Sequence, residues 1–379
     1  MKLKHFYNFL FLLYLKIKNP LLIKRLKSKK FKVLIFSHEL SNTGAPMTLI
    51  NVARAIQNNG GYPVIFSLSG GPLKQKFKKM GIPVIIDKKL IALKNLFKYF
   101  DIAFINTVAS WKAVKTLKDQ IPYIWWCHEA LLFDMYLKSD ISILSAVKNV
   151  KEIYTVSNYA KSFIEKYNPN VKVFPYGIED ISNKYKQDRL DNDKIVFTMV
   201  GTIHPVKGQG IFVEAILNLT ESCRNKAVFN FVGKPVDNKY CRQLLKKTKN
   251  FPEIIFTGEL PHEESLKIIA DSDAVVCSSR GDSFSIVIQE TLMLGKLCII
   301  SNKTGIMGWI NNGENGFIFD ADKPEQLSKI IEKIINNPSL IQEIQKKARQ
   351  TYLNNFTFEI FEKNLIKIIQ EKTRNIKKS

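Results

Sequence analysis

The chain has 379 residues, which at about 150 residues per domain suggests two domains and excludes a single small module. Hydrophobic residues make up 45% and charged residues 24%, a globular composition that excludes disordered and collagen-like chains. Lys and Arg number 57 against 34 Asp and Glu, and the resulting +23 points to an anionic partner: nucleic acid, an acidic membrane surface or a phosphorylated substrate.

Residues 1–30 hold eight Lys and Arg25 and no acid. The apolar run Phe6 to Leu15 is too short to span a bilayer, and Lys16 and Lys18 follow it where a signal peptide would carry a cleavage site. Lysines interleaved with Phe6, Phe9, Phe11 and Tyr14 describe a basic amphipathic N-terminal extension suited to the interface of an anionic leaflet. An extension docked on its own domain is the alternative.

From Phe31 onward, strand-like and helix-like segments alternate. Lys32–Ser37, Tyr62–Ser67, Ile82–Ile86, Ile102–Asn106, Tyr123–Cys127, Ile153–Val156 and Val171–Phe174 are apolar runs of strand length, and Met47–Ile56 has helical spacing. This alternation predicts α/β architecture: a doubly wound, Rossmann-like parallel sheet with helices on both faces. The stretch 88–100, where Lys88, Lys89, Lys94 and Lys98 punctuate apolar residues, fits either an ordinary amphipathic helix or a second membrane-facing segment. The polar stretch Asp180–Lys194 is a linker, after which the alternation restarts with Ile195–Val200, Val228–Val232, Ile254–Thr257, Ala274–Cys277, Lys296–Ile300 and Gly316–Phe319. The predicted domains are 31–182 and 190–356, with a C-terminal helix 357–379 returning to the first. Ligands in such sheets bind at the carboxyl ends of the strands, so the loops there are the candidates for chemistry.

Asn42-Thr-Gly-Ala-Pro46 follows the first strand and opens a helix, a place for an anion, though without dinucleotide-binding glycine spacing. His128-Glu129 closes a strand, and a histidine there can donate to a developing charge or move a proton. Gly201-Thr-Ile-His-Pro-Val-Lys-Gly208 joins a strand to a helix, with Lys207 able to hold a phosphate charge. Asp282 and Glu290 bracket a strand-to-helix segment and can accept hydrogen bonds from sugar hydroxyls; a helix-capping Asp282 with a solvated Glu290 is the alternative. His38 and His204 have weaker claims, and His5 and His262 invite no chemical role. Cys127, Cys223, Cys241, Cys277 and Cys298 lack paired spacing, which argues against disulfides and zinc and for a reducing cytoplasm. No nucleic-acid-binding signature accompanies the charge, so no nucleic-acid partner is expected.

The order of these motifs resembles the retaining GT-B glycosyltransferases of glycosyltransferase family 4. The resemblance runs from about Lys30 to about Glu371 and joins Thr43-Gly44-Ala45-Pro46, Trp126-Cys127-His128-Glu129, Val156-Ser157-Asn158, Pro175-Tyr176-Gly177-Ile178, Gly201 to Gly208, Phe231-Val232-Gly233, Phe256-Thr257-Gly258, the Asp282 to Glu290 block, Thr304-Gly305 and Asn312-Gly313-Glu314-Asn315-Gly316. It implies two Rossmann-like domains facing a central cleft, the first on the acceptor side and the second holding a nucleotide-sugar donor.

Carried onto this sequence, the resemblance implies that Glu290 accepts from ribose and that Asp282 contacts the sugar. The amides near Phe284, Ser285 and Ile286 would face the sugar and diphosphate, with Thr202, Gly258 and Leu260 completing the donor pocket. Lys207 would stabilise the leaving diphosphate, Gly44 and Ala45 would approach it from the first domain, and His128 would sit beside the sugar. The implied reaction is retaining and metal-independent. Its acceptor would be a lipid-linked or growing glycan of a capsule or lipopolysaccharide, extended by a peripheral enzyme on the inner face of the cell membrane. Three positions depart from the family pattern: Asp282 replaces Glu, Thr202 stands where Arg is usual, so that Lys207 and Arg280 must neutralise the diphosphate, and Gly308 replaces an acid. Two rival readings are a sugar-nucleotide epimerase and a non-catalytic nucleotide-sugar-binding protein. A metal-dependent transferase would need an Asp-x-Asp ligand pair, and Asp191-Asn-Asp193, Asp271-Ser-Asp273 and Asp320-Ala-Asp322 are poorly placed for it.

Overall fold

The computed structural model describes Leu13 and residues 31–118, 120–185 and 194–374. The basic extension, Leu13 apart, the Asp191-Asn-Asp193 tripeptide and the last residues of the tail lie outside the described residues. The chain divides into two compact units: one runs to Gly177 and resumes at Phe358, and the other is Ile178–Thr357.

The first unit is built on seven strands, β1 (Lys32–Ser37), β2 (Tyr62–Ser67), β3 (Val84–Ile86), β4 (Ile102–Asn106), β5 (Tyr123–Cys127), β6 (Ile153–Thr155) and β7 (Val171–Val173). All pairings are parallel, in the order β3-β2-β1-β4-β5-β6-β7. Helices cover both faces: α1 (Gly44–Asn58), α2 (Leu73–Lys79), α3 (Ile91–Leu96), α4 (Trp111–Leu117), α5 (Leu131–Ser139), α6 (Ser142–Asn149) and α7 (Asn158–Ile164). The strands read as continuous apolar runs because helices bury the sheet on both sides; β4 is buried along its whole length. On α1, Leu49, Val52, Ala53 and Ile56 recur at helical spacing and are fully buried.

The second unit repeats the design with β8 (Ile195–Val200), β9 (Ala227–Val232), β10 (Ile254–Gly258), β11 (Ala274–Cys277), β12 (Leu297–Ser301) and β13 (Phe317–Phe319), parallel in the order β10-β9-β8-β11-β12-β13. Its helices are α8 (Gln209–Leu217), α9 (Glu221–Arg224), α10 (Asn238–Thr248), α11 (His262–Asp271), α12 (Ile286–Met293), α13 (Pro324–Asn336) and α14 (Ser339–Asn355). Phe197 stacks on Phe229 with ring centroids 5.5 Å apart, and Phe212 packs edge-on against Phe229. The final helix, α15 (Phe358–Arg374), belongs to the first unit, where Phe361 stacks on Phe174 at 5.2 Å and Glu362 accepts from Asn58 and Asn59.

The paired parallel sheets are the architecture that the alternation predicts. Two details differ. The first unit ends at Gly177 rather than 182, because Ile178 donates to Phe356 O at 2.9 Å and bridges to Thr357. The 88–100 stretch does not keep an apolar face for a membrane: Ala92, Leu93, Leu96 and Phe100 are core residues of the first unit, with Leu90, Phe97 and Tyr99 packed against them. Helical periodicity is the same whether a core or a lipid covers the apolar side, so sequence alone left both readings open. Among the described residues no helix is long and apolar enough to cross a membrane.

Candidate functional site

Each sheet reverses its strand order beside its first strand, and in open α/β sheets that switch point is where loops diverge and leave a ligand crevice. In the second unit the switch lies between β8 and β11. The loop after β8 turns through Gly208, at φ +77°, where an added Cβ would lie 1.9 Å from Ser278 O. Only glycine admits this approach, and Ser278 Oγ fastens it by donating to Gly208 O at 2.8 Å. The contact brings together the loop-borne charges: Lys207 Nζ lies 2.8 Å from Asp282 Oδ2, with the side chains 38% and 13% exposed. The Asp282 carboxylate raises the Lys207 pKa, so the ammonium is fixed in its charged form.

Asp282 is not a helix cap. Its Oδ1 accepts from Phe284 N at 3.2 Å, and its backbone holds Lys303 O and Gly305 N. Ser285 caps α12 instead, accepting from Ile288 N. The amides of this helix start, including Ile286, carry the positive end of the helix dipole. Phe284 is buried edge-on against Trp309 and Phe356, so the side chain belongs to the core. Glu290, one turn into α12, is buried rather than solvated, and its Oε1 lies 2.6 Å from His262 Nε2 at the start of α11. His262 is 68% exposed. Their separation of 28 positions hid this pairing from sequence reasoning.

Around the pair, strand ends leave bare backbone. Gly233 N donates to Gly258 O at 2.7 Å, and a Cβ on Gly233 would lie 2.0 Å from Gly201 O. Gly258, at φ +78°, leaves open space where a side chain would stand, with half-buried Leu260 two residues on. Thr202 is exposed, its carbonyl accepting from buried Gln209, and His204 turns its Nδ1 inward to Val206 N. Arg280 is drawn to Asp322 at 3.8 Å on the surface. The two described Asp-x-Asp matches serve local structure: Asp273 accepts from Val196 N, and Asp320 from Asp322 N. Among the described residues no three His, Cys, Asp or Glu side chains converge as metal ligands, and the five cysteines are unpaired thiols.

The first unit's switch lies between β1 and β4. Here Thr107 adopts φ +69° and ψ 157°, a region almost reserved for glycine and costing about 1–3 kcal/mol. Trp125 Nε1 donates to its carbonyl and its own N–H reaches Trp126 O, both at 2.8 Å, which holds the strained turn. Thr107 Oγ1 meets His38 Nδ1 at 3.1 Å. The carboxylate of Glu129 accepts from Val108 N at 3.0 Å and from His128 N at 2.9 Å, tying the loops after β4 and β5 together. Burial pushes Glu129 up to about 7 against these hydrogen bonds, and burial takes His128 down to about 3, so its ring is neutral. His128 lies against Trp126 and Tyr176, its Nε2 buried without a hydrogen-bond partner among the described residues. Gly44 opens α1 with free space at its Cα, and Asn106 Nδ2 donates to Ala45 O at 3.0 Å. Glu129 was legible only as a neighbour of His128; its bridging role needs the fold.

The description "Glycosyl-transferase family 4" matches residues 27–172, and "Glycosyl transferases group 1" matches 180–351. The uncharacterized glycosyltransferase MJ1178 of Methanocaldococcus jannaschii is 23% identical over 363 residues, 92% of each chain. MJ1069 of the same organism, also an uncharacterized glycosyltransferase, is 25% identical over 232 residues, so that the chain spans 59% of that relative's length. Among solved structures, Anabaena HepE in complex with UDP and glucose superposes with a TM-score of 0.76 at 16% identity, covering 90% of this chain and 99% of that one. The lipopolysaccharide outer core galactosyltransferase WaaB gives 0.72 at 15% identity, covering 90% and 100%. With a family description on each unit and this fold in the neighbours, the chain belongs to the group 1, family 4 glycosyltransferases of GT-B fold.

Proposed function

We propose that this glycosyltransferase moves a sugar from a nucleoside-diphosphate sugar onto a membrane-linked or growing glycan of a surface polysaccharide, such as a capsule or lipopolysaccharide, with retention of configuration and without a metal ion. The observation that carries the reading is the Lys207–Asp282 pair at the switch point of the second unit, set among glycine-only strand ends and the start of α12. An ammonium and a helix N-terminus are counter-charges for a departing diphosphate, and fixed charges of this kind usually supply the largest catalytic effect. In this reading Glu290 accepts from the ribose hydroxyls, Asp282 shares Lys207 with the donor, and neutral His128 offers a hydrogen bond to the sugar. The bond from the anomeric carbon to the diphosphate breaks and the acceptor oxygen bonds on the same face. The acceptor proton passes to the leaving phosphate, so no carboxylate nucleophile is used. The structural neighbours support the substrate classes: HepE was solved with UDP and glucose, and WaaB is a lipopolysaccharide outer core galactosyltransferase.

The test is incubation with UDP-, GDP- and dTDP-sugars, followed by NMR for donor hydrolysis and, with an acceptor, for the anomeric configuration of the product. Hydrolysis of one donor class, unaffected by EDTA and weakened by Lys207→Ala, is the expected result. An inverted product, or activity lost to EDTA and restored by manganese, overturns the mechanism. Interconversion of the sugar instead of release overturns the transferase reading in favour of an epimerase.

A further inference from the structure

Four of the ten large apolar side chains exposed among the described residues fall between 131 and 141: Leu131, Leu132, Met135 and Ile141. The others are scattered singly, as is normal for a protein surface. Phe133, Tyr136 and Leu137 turn α5 inward to the core, while Leu132 at 54% and Met135 at 64% exposure stand on its outer side. A helix that is apolar on both sides needs a cover for each, and among the described residues α5 has one. Ile141, 71% exposed, continues this surface into a groove of about 520 Å³ between α4 and α6, whose walls, among the described residues, carry Lys115 and Lys118 and no acid. Lys138 is exposed on the last turn of α5.

We propose that this face, the outer side of α5 with the α4–α6 groove, is where the enzyme sits on an anionic phospholipid membrane. Apolar side chains that enter the acyl boundary beside lysines that meet lipid phosphates are what an interfacial surface requires, and the chain's +23 supplies the long-range attraction. The face begins at Leu131, three residues beyond His128, so it would bring a lipid-carried acceptor to the same strand end. The inference rests on the membrane-linked acceptor reading above and names the surface that reading needs.

Flotation of the full chain with vesicles of phosphatidylcholine, alone or mixed with phosphatidylglycerol, tests it. The wild type should float with the anionic vesicles and be released as salt shortens the Debye length from about 10 Å at 0.1 M to about 3 Å at 1 M. Leu132→Ser/Met135→Ser/Ile141→Ser and Lys115→Glu/Lys118→Glu should each lower the bound fraction about tenfold. Both should keep the wild-type melting temperature and vesicle-free donor hydrolysis. Equal flotation of variants and wild type, or no preference for anionic lipid, overturns the proposal and assigns the charge elsewhere. A wild-type dimer in vesicle-free sedimentation that the triple variant abolishes also overturns it, since a second copy would then cover the face. Absent hydrolysis with every donor would defeat the enzymatic reading while leaving the flotation result to judge the surface.

Discussion

The two switch points make opposite uses of the same topology. In the second unit, loops from β8 and β11 converge on an open, charged pair, Lys207 and Asp282, beside glycines that strip the strand ends of side chains. In the first, loops from β1, β4 and β5 converge on groups that burial draws toward their neutral forms, His128 lowered to about 3 and Glu129 raised to about 7, beside a strained Thr107 held between two tryptophan residues. A dianionic leaving group calls for fixed positive charge, whereas sugar hydroxyls call for directional, uncharged hydrogen bonding in a dry setting. Under the proposed function, this contrast would put diphosphate handling in one unit and sugar positioning in the other.

The largest expected break in this contrast is Lys207→Ala. Removing a preorganised positive group typically costs about 10²- to 10³-fold in turnover, and turnover of whichever nucleotide sugar the enzyme hydrolyses should fall by that much while chemical denaturation changes little. A variant that lost stability but not rate would make Lys207–Asp282 a structural pair.

Next comes the neutral side. Glu129 is raised in the folded state, so its contribution to stability is complete below about pH 4.5 and is lost as pH climbs through about 7; His128 is lowered, so its contribution is complete above about 6.5 and is lost on acidification toward 3. The two slopes oppose each other between pH 4.5 and 6.5. Glu129→Gln should remove the alkaline loss, worth up to about 3 kcal/mol, leaving stability that rises from pH 3 to 6.5 and then stays level. Melting curves across that range decide it; an unchanged alkaline slope in the variant would show that Glu129 is ionised in its bridge.

Glu290→Ala should weaken nucleotide binding by about 1.5–3 kcal/mol, the range for hydrogen bonds to charged groups, read by calorimetry. The smallest effect sharpens that one. His262→Ala should weaken nucleotide affinity by up to about 1 kcal/mol, since the imidazole is largely exposed. Unchanged affinity in the variant would remove His262 from any influence on Glu290.

The sheets were legible because helices cover both faces, which forces each strand to be a continuous apolar run; β1, β2, β4, β5, β8 and β11 begin and end where those runs do. Lys207, Asp282 and Glu290 were legible as motif positions, but their partners were not. The His262–Glu290 contact depends on how α11 is set against α12, and nothing at Thr107 signals a backbone that usually demands glycine. The apolar residues of 88–100 misled for a physical reason: core and lipid select the same periodicity. At α5 that ambiguity recurs, because one side is core and the other has no cover among the described residues.

The bridge between Ile178 and Thr357 sets the two ends of the second unit side by side, which makes that unit an insertion within the first rather than a neighbour strung after it. An insertion whose ends already meet asks little of its host: a short join from Gly177 to Phe358 would close the surrounding chain. Two adjacent joints also let the second unit be exchanged whole by recombination, with the host sheet and its loops left intact. Under the proposed function, such a plan would let donor and acceptor preferences evolve separately within one polypeptide.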